Sequence, residues 1–156
     1  TVGVLWALWG AAVAVVLSGG GAAIGVGRAG QASAGLLSKD PSKFGSVIVL
    51  QLLPATQGLY GFVIGFMVLL RVGVMGTPIA LTKAAGISFF VLCLPMAIVG
   101  FGSAILQGMV AIGGINLVGK QEKQLGRAIP MAALVEIFAI FAFIISFFGV
   151  MFLSVK

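Results

Sequence analysis

The sequence predicts an all-α membrane protein with four transmembrane helices, arranged as two tandem copies of a helical hairpin. Of its 156 residues 61% are hydrophobic and only 8% are charged, and the mean hydropathy is +1.27. A soluble domain would carry roughly a quarter charged residues. Short polar turns divide the chain into four long apolar segments, and its two halves align on each other. The composition favours a single membrane domain.

The predicted helices follow one another with little chain between them. The polar turns comprise residues 38–42, 73–78 and 120–123, and the predicted spans are about 1–37, 43–72, 81–119 and 124–153. Crossing a bilayer takes roughly 20 residues, so each segment is long enough to do so. The first and third spans are much longer, and we expect them to protrude beyond the membrane.

The two halves of the chain form an internal repeat. A shift of 81 residues places Gly19 on Gly100 and Lys39 on Lys120 without a gap. Such a repeat indicates two copies of one hairpin, here 1–80 and 81–156. Under the same shift Glu136 falls on Ala55. The first hairpin therefore lacks the acid, and each chain is expected to carry one acidic site.

Glycine is concentrated in two of the four spans. Sixteen of the 24 glycines lie in the first and third spans, whereas the fourth is rich in phenylalanine. Small residues let helices approach closely in lipid. The first and third spans are therefore predicted to form a closely packed inner layer, with the second and fourth outside. The alternative is ordinary small-residue packing within a monomeric four-helix bundle.

The basic residues predict the orientation of the chain. The net charge is +6, but these residues are few and scattered, which fits membrane topology better than a nucleic-acid partner. Six of them cluster near the first and third turns: Arg28, Lys39, Lys43, Lys120, Lys123 and Arg127. The other side has only Arg71, Lys83 and Lys156. The first and third turns are thus predicted to be cytoplasmic, with both termini outside.

One carboxylate lies within the predicted membrane interior. Glu136 interrupts an apolar stretch over 128–155, whereas Asp40 and Glu122 lie in polar turns. An acid in a spanning helix costs several kcal/mol unless an ion, a proton or a partner neutralises it. The chain has no histidine, which excludes a histidine-based metal site or catalytic triad. We therefore expect the function to depend on Glu136.

Three predicted spans place polar side chains at the depth of this acid. Glu136, Gln107, Thr56 and Gln57 are each about 14 to 16 residues from a cytoplasmic turn, or roughly 22 Å at 1.5 Å per residue. A shared depth predicts that these side chains meet in the middle of the membrane.

The second span contributes a polar face and a break. Leu53, Thr56, Gln57 and Tyr60 have the spacing i, i+3, i+4, i+7 and share one face of a helix. Pro54 has no N–H, so it loosens the turn and makes a backbone oxygen near Leu53 available as an acceptor.

These groups have the chemistry of a cation site. A carboxylate, two amide oxygens, a hydroxyl and a backbone carbonyl are hard oxygen ligands. One negative charge matches a monovalent cation, which favours Na⁺ with Li⁺ as its mimic and no organic cofactor. The alternative is structural: the glutamines hydrogen-bond across helices, Thr56 bonds to its own helix, and Glu136 is a protonated acid paired with a neighbour. A hydrogen bond from Tyr60 to Glu136 is also expected.

These motifs resemble those of a known family. Residues 51–61, QLLPATQGLYG, resemble the second-helix motif of the proteolipid (c or K) subunit of V-type ATPases, and look closest to its Na⁺-pumping bacterial branch. Residues 105–108 and 133–136 resemble its third- and fourth-helix motifs. The resemblance implies that Na⁺ is bound by Glu136, Gln107, Gln57, Thr56 and the backbone oxygen of Leu53, with Tyr60 bonded to the acid.

The resemblance also implies assembly and partners. Several copies would form a rotor ring in lipid, with the first and third spans inside. A stator membrane subunit would supply an arginine, and a central-stalk subunit would contact the turns near Lys39–Lys43 and Lys120–Lys123. Glu136 loaded with Na⁺ would be neutral and would travel through lipid. ATP hydrolysis elsewhere would turn the ring, so the chain itself is not expected to be the catalyst.

Three other interpretations are open. The same ring could carry H⁺. A tetraspan channel or small transporter with Glu136 in its pathway would have polar residues repeated along one face, whereas this chain offers one level. A four-helix membrane enzyme would need a second reactive group near Glu136, and neither a histidine nor another acid is available there.

Overall fold

The computed structural model describes residues 1–77 and 79–154 and contains four helical spans. Its α-helices are α1 (Val2–Leu37), α2 (Phe44–Leu52), α3 (Thr56–Arg71), α4 (Lys83–Lys120) and α5 (Leu125–Phe152). A single 3₁₀ turn joins α2 to α3, and together they form the second span. Each span is long and apolar enough to cross a membrane. The predicted all-α membrane fold is confirmed. Pro78 and Lys156, which entered the predictions of turns and topology, lie outside the described residues.

Helices α1 and α4 form the central pair and share the most extensive contact in the bundle. Their backbones meet at glycines: a Cβ atom added at Gly21 would lie 2.7 Å from the Cα of Phe101, and one at Gly108 would lie 2.6 Å from the Cα of Gly25. Any larger residue would force these helices apart. Helix α3 packs on α1 and α5 packs on α4, so the glycine-rich spans lie between the bulkier ones.

Buried serines join three helices around Met96, directly after Pro95 in α4. The hydroxyl of Ser18 in α1 donates to the Met96 carbonyl at 2.9 Å. The hydroxyl of Ser146 in α5 accepts from the Met96 N–H at 3.2 Å. Both serines are fully buried. These bonds hold α1 and α5 against α4 within an otherwise apolar interior.

The first and third turns are tied together by Lys43. Its ammonium is buried and lies 3.0 Å from the carboxylate of Glu122 and 3.9 Å from that of Asp40. The Ser42 hydroxyl and N–H donate to Asp40, and these hydrogen bonds lower the pKa of that carboxyl. Lys43, one of the six clustered basic residues, is therefore neutralised within the chain.

An arginine joins two helices at the opposite end of the bundle. The guanidinium of Arg71, at the end of α3, donates to the Met151 carbonyl at 2.6 Å and also to the Leu153 carbonyl. Carbonyls at the end of a helix lack partners within it, and a cation there also complements the helix dipole. Arg71 thus caps α5 and connects it to α3.

Candidate functional site

The site begins at the break between α2 and α3. Pro54 is buried in the 3₁₀ turn, and a Cβ atom at Gly25 of α1 would lie 2.8 Å from the Cβ of Pro54. The Leu53 carbonyl accepts from the backbone N–H of Thr56 and, at 3.0 Å, from the Thr56 hydroxyl. At this break the Leu53 carbonyl and the Thr56 hydroxyl therefore lie together, beside a proline that packs on α1.

A chain of hydrogen bonds runs from this break to the acid. The Thr56 hydroxyl lies 3.2 Å from Oε1 of Gln57, and Nε2 of Gln57 donates to Oε1 of Gln107 at 2.6 Å. Nε2 of Gln107 lies 3.5 Å from Oε2 of Glu136. Both glutamines are fully buried. Polar groups of α3, α4 and α5 are therefore connected in a continuous series within the apolar bundle.

The second oxygen of the carboxylate is held by Tyr60. Its hydroxyl donates to Oε1 of Glu136 at 2.7 Å, while its ring packs on Phe143 with centroids 5.1 Å apart. Glu136 is half-buried and borders an apolar outer surface on which Leu134 and Phe138 are exposed. The acid thus lies between the buried amides and the outer face of the bundle.

Sequence reasoning missed one member of this group. Ser103, which is almost fully buried, accepts from Nε2 of Gln57 at 3.2 Å and donates to the Val135 carbonyl at 3.1 Å. Its position four residues before Gln107 places both side chains on one face of α4, which is the signal that could have found it. A serine in an apolar helix more often bonds to its own backbone, which makes this signal weak.

The structure brings all the predicted site residues into one connected set of contacts: Leu53, Thr56, Gln57, Tyr60, Gln107 and Glu136. Within the described residues no three Cys, Asp or Glu side chains are grouped as ligands, so the donors here are one carboxylate and neutral oxygens. Such a set has the charge to neutralise a monovalent cation or a proton.

Fold and site together define a multi-pass, all-α membrane protein with one carboxylate held by neutral polar groups midway along its helices. The chain belongs to the family of the ATP synthase C subunit, whose sequence model matches residues 9–68 and, a second time, residues 90–148. This membership confirms the resemblance drawn from residues 51–61 and the two site motifs.

Two curated relatives are similar over most of the chain. It is 42% identical over 145 residues to the V-type sodium ATPase subunit K of Enterococcus hirae, which covers 93% of this chain and 90% of that protein. It is 36% identical over 137 residues to the A-type ATP synthase subunit K of Methanocaldococcus jannaschii, which covers 88% of this chain and 58% of that protein.

Proposed function

We propose that the chain is the ion-carrying subunit of the membrane rotor ring of a V-type ATPase, and that it carries Na⁺ at Glu136. The observation that carries the proposal is the placement of Glu136, held by Tyr60 and next to Gln107 within one connected set of polar groups. A relative named for a sodium ATPase supports the choice of ion.

The proposed ligands of Na⁺ are five: Glu136, Gln107, Gln57, Thr56 and the backbone oxygen of Leu53. Their hard oxygens suit Na⁺, with Li⁺ as a mimic, and their single negative charge equals that of the cargo in magnitude. Tyr60 would orient the carboxylate without touching the ion. A divalent cation would leave an excess positive charge in lipid, which is costly.

Charge neutralisation supplies the mechanism. Copies of the chain would form a ring with α1 and α4 inside and α3 and α5 outside, so that Glu136 borders lipid. Loaded with Na⁺ the site is neutral and tolerates lipid, whereas the emptied carboxylate is a bare charge that must stay beside a stator arginine. Only a loaded site can therefore leave the stator and enter lipid as the ring rotates. ATP hydrolysis in another subunit would drive it, and this chain would be non-catalytic.

The proposed topology places the first and third turns in the cytoplasm and both termini outside. Lys39, Lys120 and Lys123 are exposed at those turns and would contact the central stalk, whereas Lys43 is already paired within the chain. We also infer that 1–80 and 81–156 are duplicated hairpins. The two family matches begin 81 residues apart, at residues 9 and 90, which supports that division.

Carbodiimide labelling of Glu136 in membranes, titrated with NaCl at fixed pH, tests the proposal. The reagent attacks the protonated acid, so bound Na⁺ should protect it. Protection by Na⁺ and Li⁺ but not K⁺ is expected, and Glu136→Gln should abolish labelling. Carbodiimide labelling that does not change with the NaCl concentration would overturn the sodium site in favour of H⁺ in the same ring. An acid that never labels would overturn the carrier role.

A further inference from the structure

Ser103 determines which atom of Gln57 faces it. A hydroxyl has a single hydrogen, and Ser103 donates that hydrogen to the Val135 carbonyl at 3.1 Å, a group that can only accept. Towards Gln57, at 3.2 Å, the Ser103 oxygen can therefore only accept. While Ser103 donates to Val135, the amide atom of Gln57 that faces Ser103 is the NH₂ group.

This constraint directs the amide oxygen of Gln57. One hydrogen of its NH₂ group goes to Ser103 and the other to Oε1 of Gln107 at 2.6 Å. The oxygen, Oε1, then faces the Thr56 hydroxyl at 3.2 Å, and the single hydrogen of that hydroxyl is shared between Oε1 and the Leu53 carbonyl. Oxygen atoms rather than N–H groups are thereby gathered on one side of Gln57, which is the arrangement that a cation needs.

The second glutamine is anchored in the same way. Nε2 of Gln107 lies 3.2 Å from the Ala132 carbonyl, which again can only accept, so Oε1 of Gln107 is the atom that faces Gln57. Two backbone carbonyls of α5, at Ala132 and Val135, thus set both amide orientations. They precede Glu136 by four residues and by one residue.

We propose that Ser103 is a positioning residue that sets the Na⁺ affinity of the site by holding the Gln57 amide in its ion-binding orientation. This inference rests on the proposed function. Without the hydroxyl, the Gln57 NH₂ group keeps only its bond to Oε1 of Gln107, so the amide turns more readily and then presents N–H groups to the cation. Proton carriage requires only the acid, so the orientation of this amide also contributes to the choice of Na⁺ over H⁺.

The test measures the NaCl concentration that half-protects Glu136 from carbodiimide in membranes containing the assembled complex. Ser103→Ala should raise this midpoint roughly two- to tenfold, the effect expected for one net hydrogen bond. Ser146→Ala is the matched control, because it removes another buried serine hydroxyl between α4 and α5, ten residues beyond Glu136 and roughly 15 Å away. Its midpoint should stay at the value of the unchanged chain.

A second pair of variants separates the hydroxyl from packing. Ser103→Thr and Ser103→Val add side chains of equal shape, and only threonine keeps the hydroxyl. Threonine should show the lower midpoint. The pH dependence of carbodiimide labelling without Na⁺ is measured in parallel. General loosening of the structure around Glu136 would change both this pH dependence and the NaCl midpoint, whereas a turned amide changes mainly the NaCl midpoint.

Each outcome has one meaning. A raised midpoint in Ser103→Ala and Ser103→Val, with threonine closer to the unchanged chain, supports the inference. Equal midpoints for Thr and Val, or an Ala midpoint equal to that of the unchanged chain, overturn it while leaving the sodium site standing. If Na⁺ fails to protect even the unchanged chain, the sodium site itself is overturned and this inference falls with it.

Discussion

The hydroxyl of Tyr60 and the carboxylate of Glu136 are joined by a 2.7 Å hydrogen bond that crosses from α3 to α5. A bond to an ionised acceptor is stronger than one between neutral groups. The contact of the Tyr60 ring with Phe143 fixes the direction from which the hydroxyl approaches. One oxygen of Glu136 is therefore held by Tyr60, and the other faces Gln107.

Tyr60→Phe should weaken Na⁺ binding by about tenfold or more. The ring keeps its contact with Phe143, but the donor is lost, and hydrogen bonds to charged groups contribute about 1.5–3 kcal/mol. The measurement is the NaCl midpoint for protection from carbodiimide. Phe62→Leu is the control, because Phe62 lies exposed on α3 and stacks on Phe66. An unchanged midpoint in Tyr60→Phe would contradict an orienting role for Tyr60.

Glu136→Gln should abolish ATP-driven Na⁺ uptake into vesicles while leaving an assembled ring. The amide matches the carboxylate in shape but carries no charge to attract Na⁺, and a neutral group is easier to keep in lipid. Glu122→Gln is the matched control, since Glu122 lies in an exposed turn and pairs with Lys43. That variant should retain transport. Substantial uptake by Glu136→Gln would remove this acid from the ion path.

Much of the fold and site could be predicted, for a physical reason. Four apolar runs broken by polar turns mark the spans directly, and they match the observed helices closely. Polar side chains are rare in such runs, so Gln57, Gln107 and Glu136 stand out from their surroundings. The break at Pro54 was predictable because proline lacks the N–H that a helix requires.

Other contacts carry no comparable sequence signal. The hydroxyl of a serine such as Ser103 can hydrogen-bond within its own helix as easily as to another helix, so its bridging role depends on tertiary packing. The pairing of Lys43 with Glu122 joins two turns that are far apart in the chain. The capping of α5 by Arg71 likewise depends on which helix ends meet. Periodicity and composition describe single helices and do not indicate which turns and helix ends contact one another.

Gly25→Ala should destabilise the bundle by about 1–3 kcal/mol, the usual cost of overpacking. The added Cβ would meet the Ala104 carbonyl of α4 and lie 2.8 Å from the Cβ of Pro54, so α1 would have to move away from both. Gly126→Ala is the control, because a Cβ at Gly126 has no heavy atom within 4 Å. Thermal unfolding in detergent compares the two. Equal unfolding temperatures for the two variants would contradict the conclusion that α1 packs too closely at Gly25 to accept a side chain.

Acid should loosen the first turn at Asp40. Hydrogen bonds from Ser42 lower the pKa of this carboxyl below its ordinary value of 3.8. A lowered pKa in the folded state means that the stabilisation is fully present above 3.8 and is lost as the pH falls through the lowered value.

Ser42→Ala should raise the pKa of Asp40 towards 3.8 and reduce the dependence of stability on pH in that window. The pKa is followed by NMR of the labelled carboxyl, and stability by thermal unfolding at several acidic pH values. Ser38→Ala is the control, because the Ser38 hydroxyl bonds to the Gly35 carbonyl rather than to Asp40. An Asp40 pKa that stays low in Ser42→Ala would assign the shift to another cause.

One carboxylate among four spans also sets how many ions the ring carries in each full turn. In the proposed ring, a circumference built from this chain holds half as many carriers as one built from separate hairpins that each bear an acid. Every full turn then moves fewer ions, and the work of that turn is divided among fewer of them. Such a pump moves fewer ions per turn, but it can move each ion against a steeper electrochemical gradient.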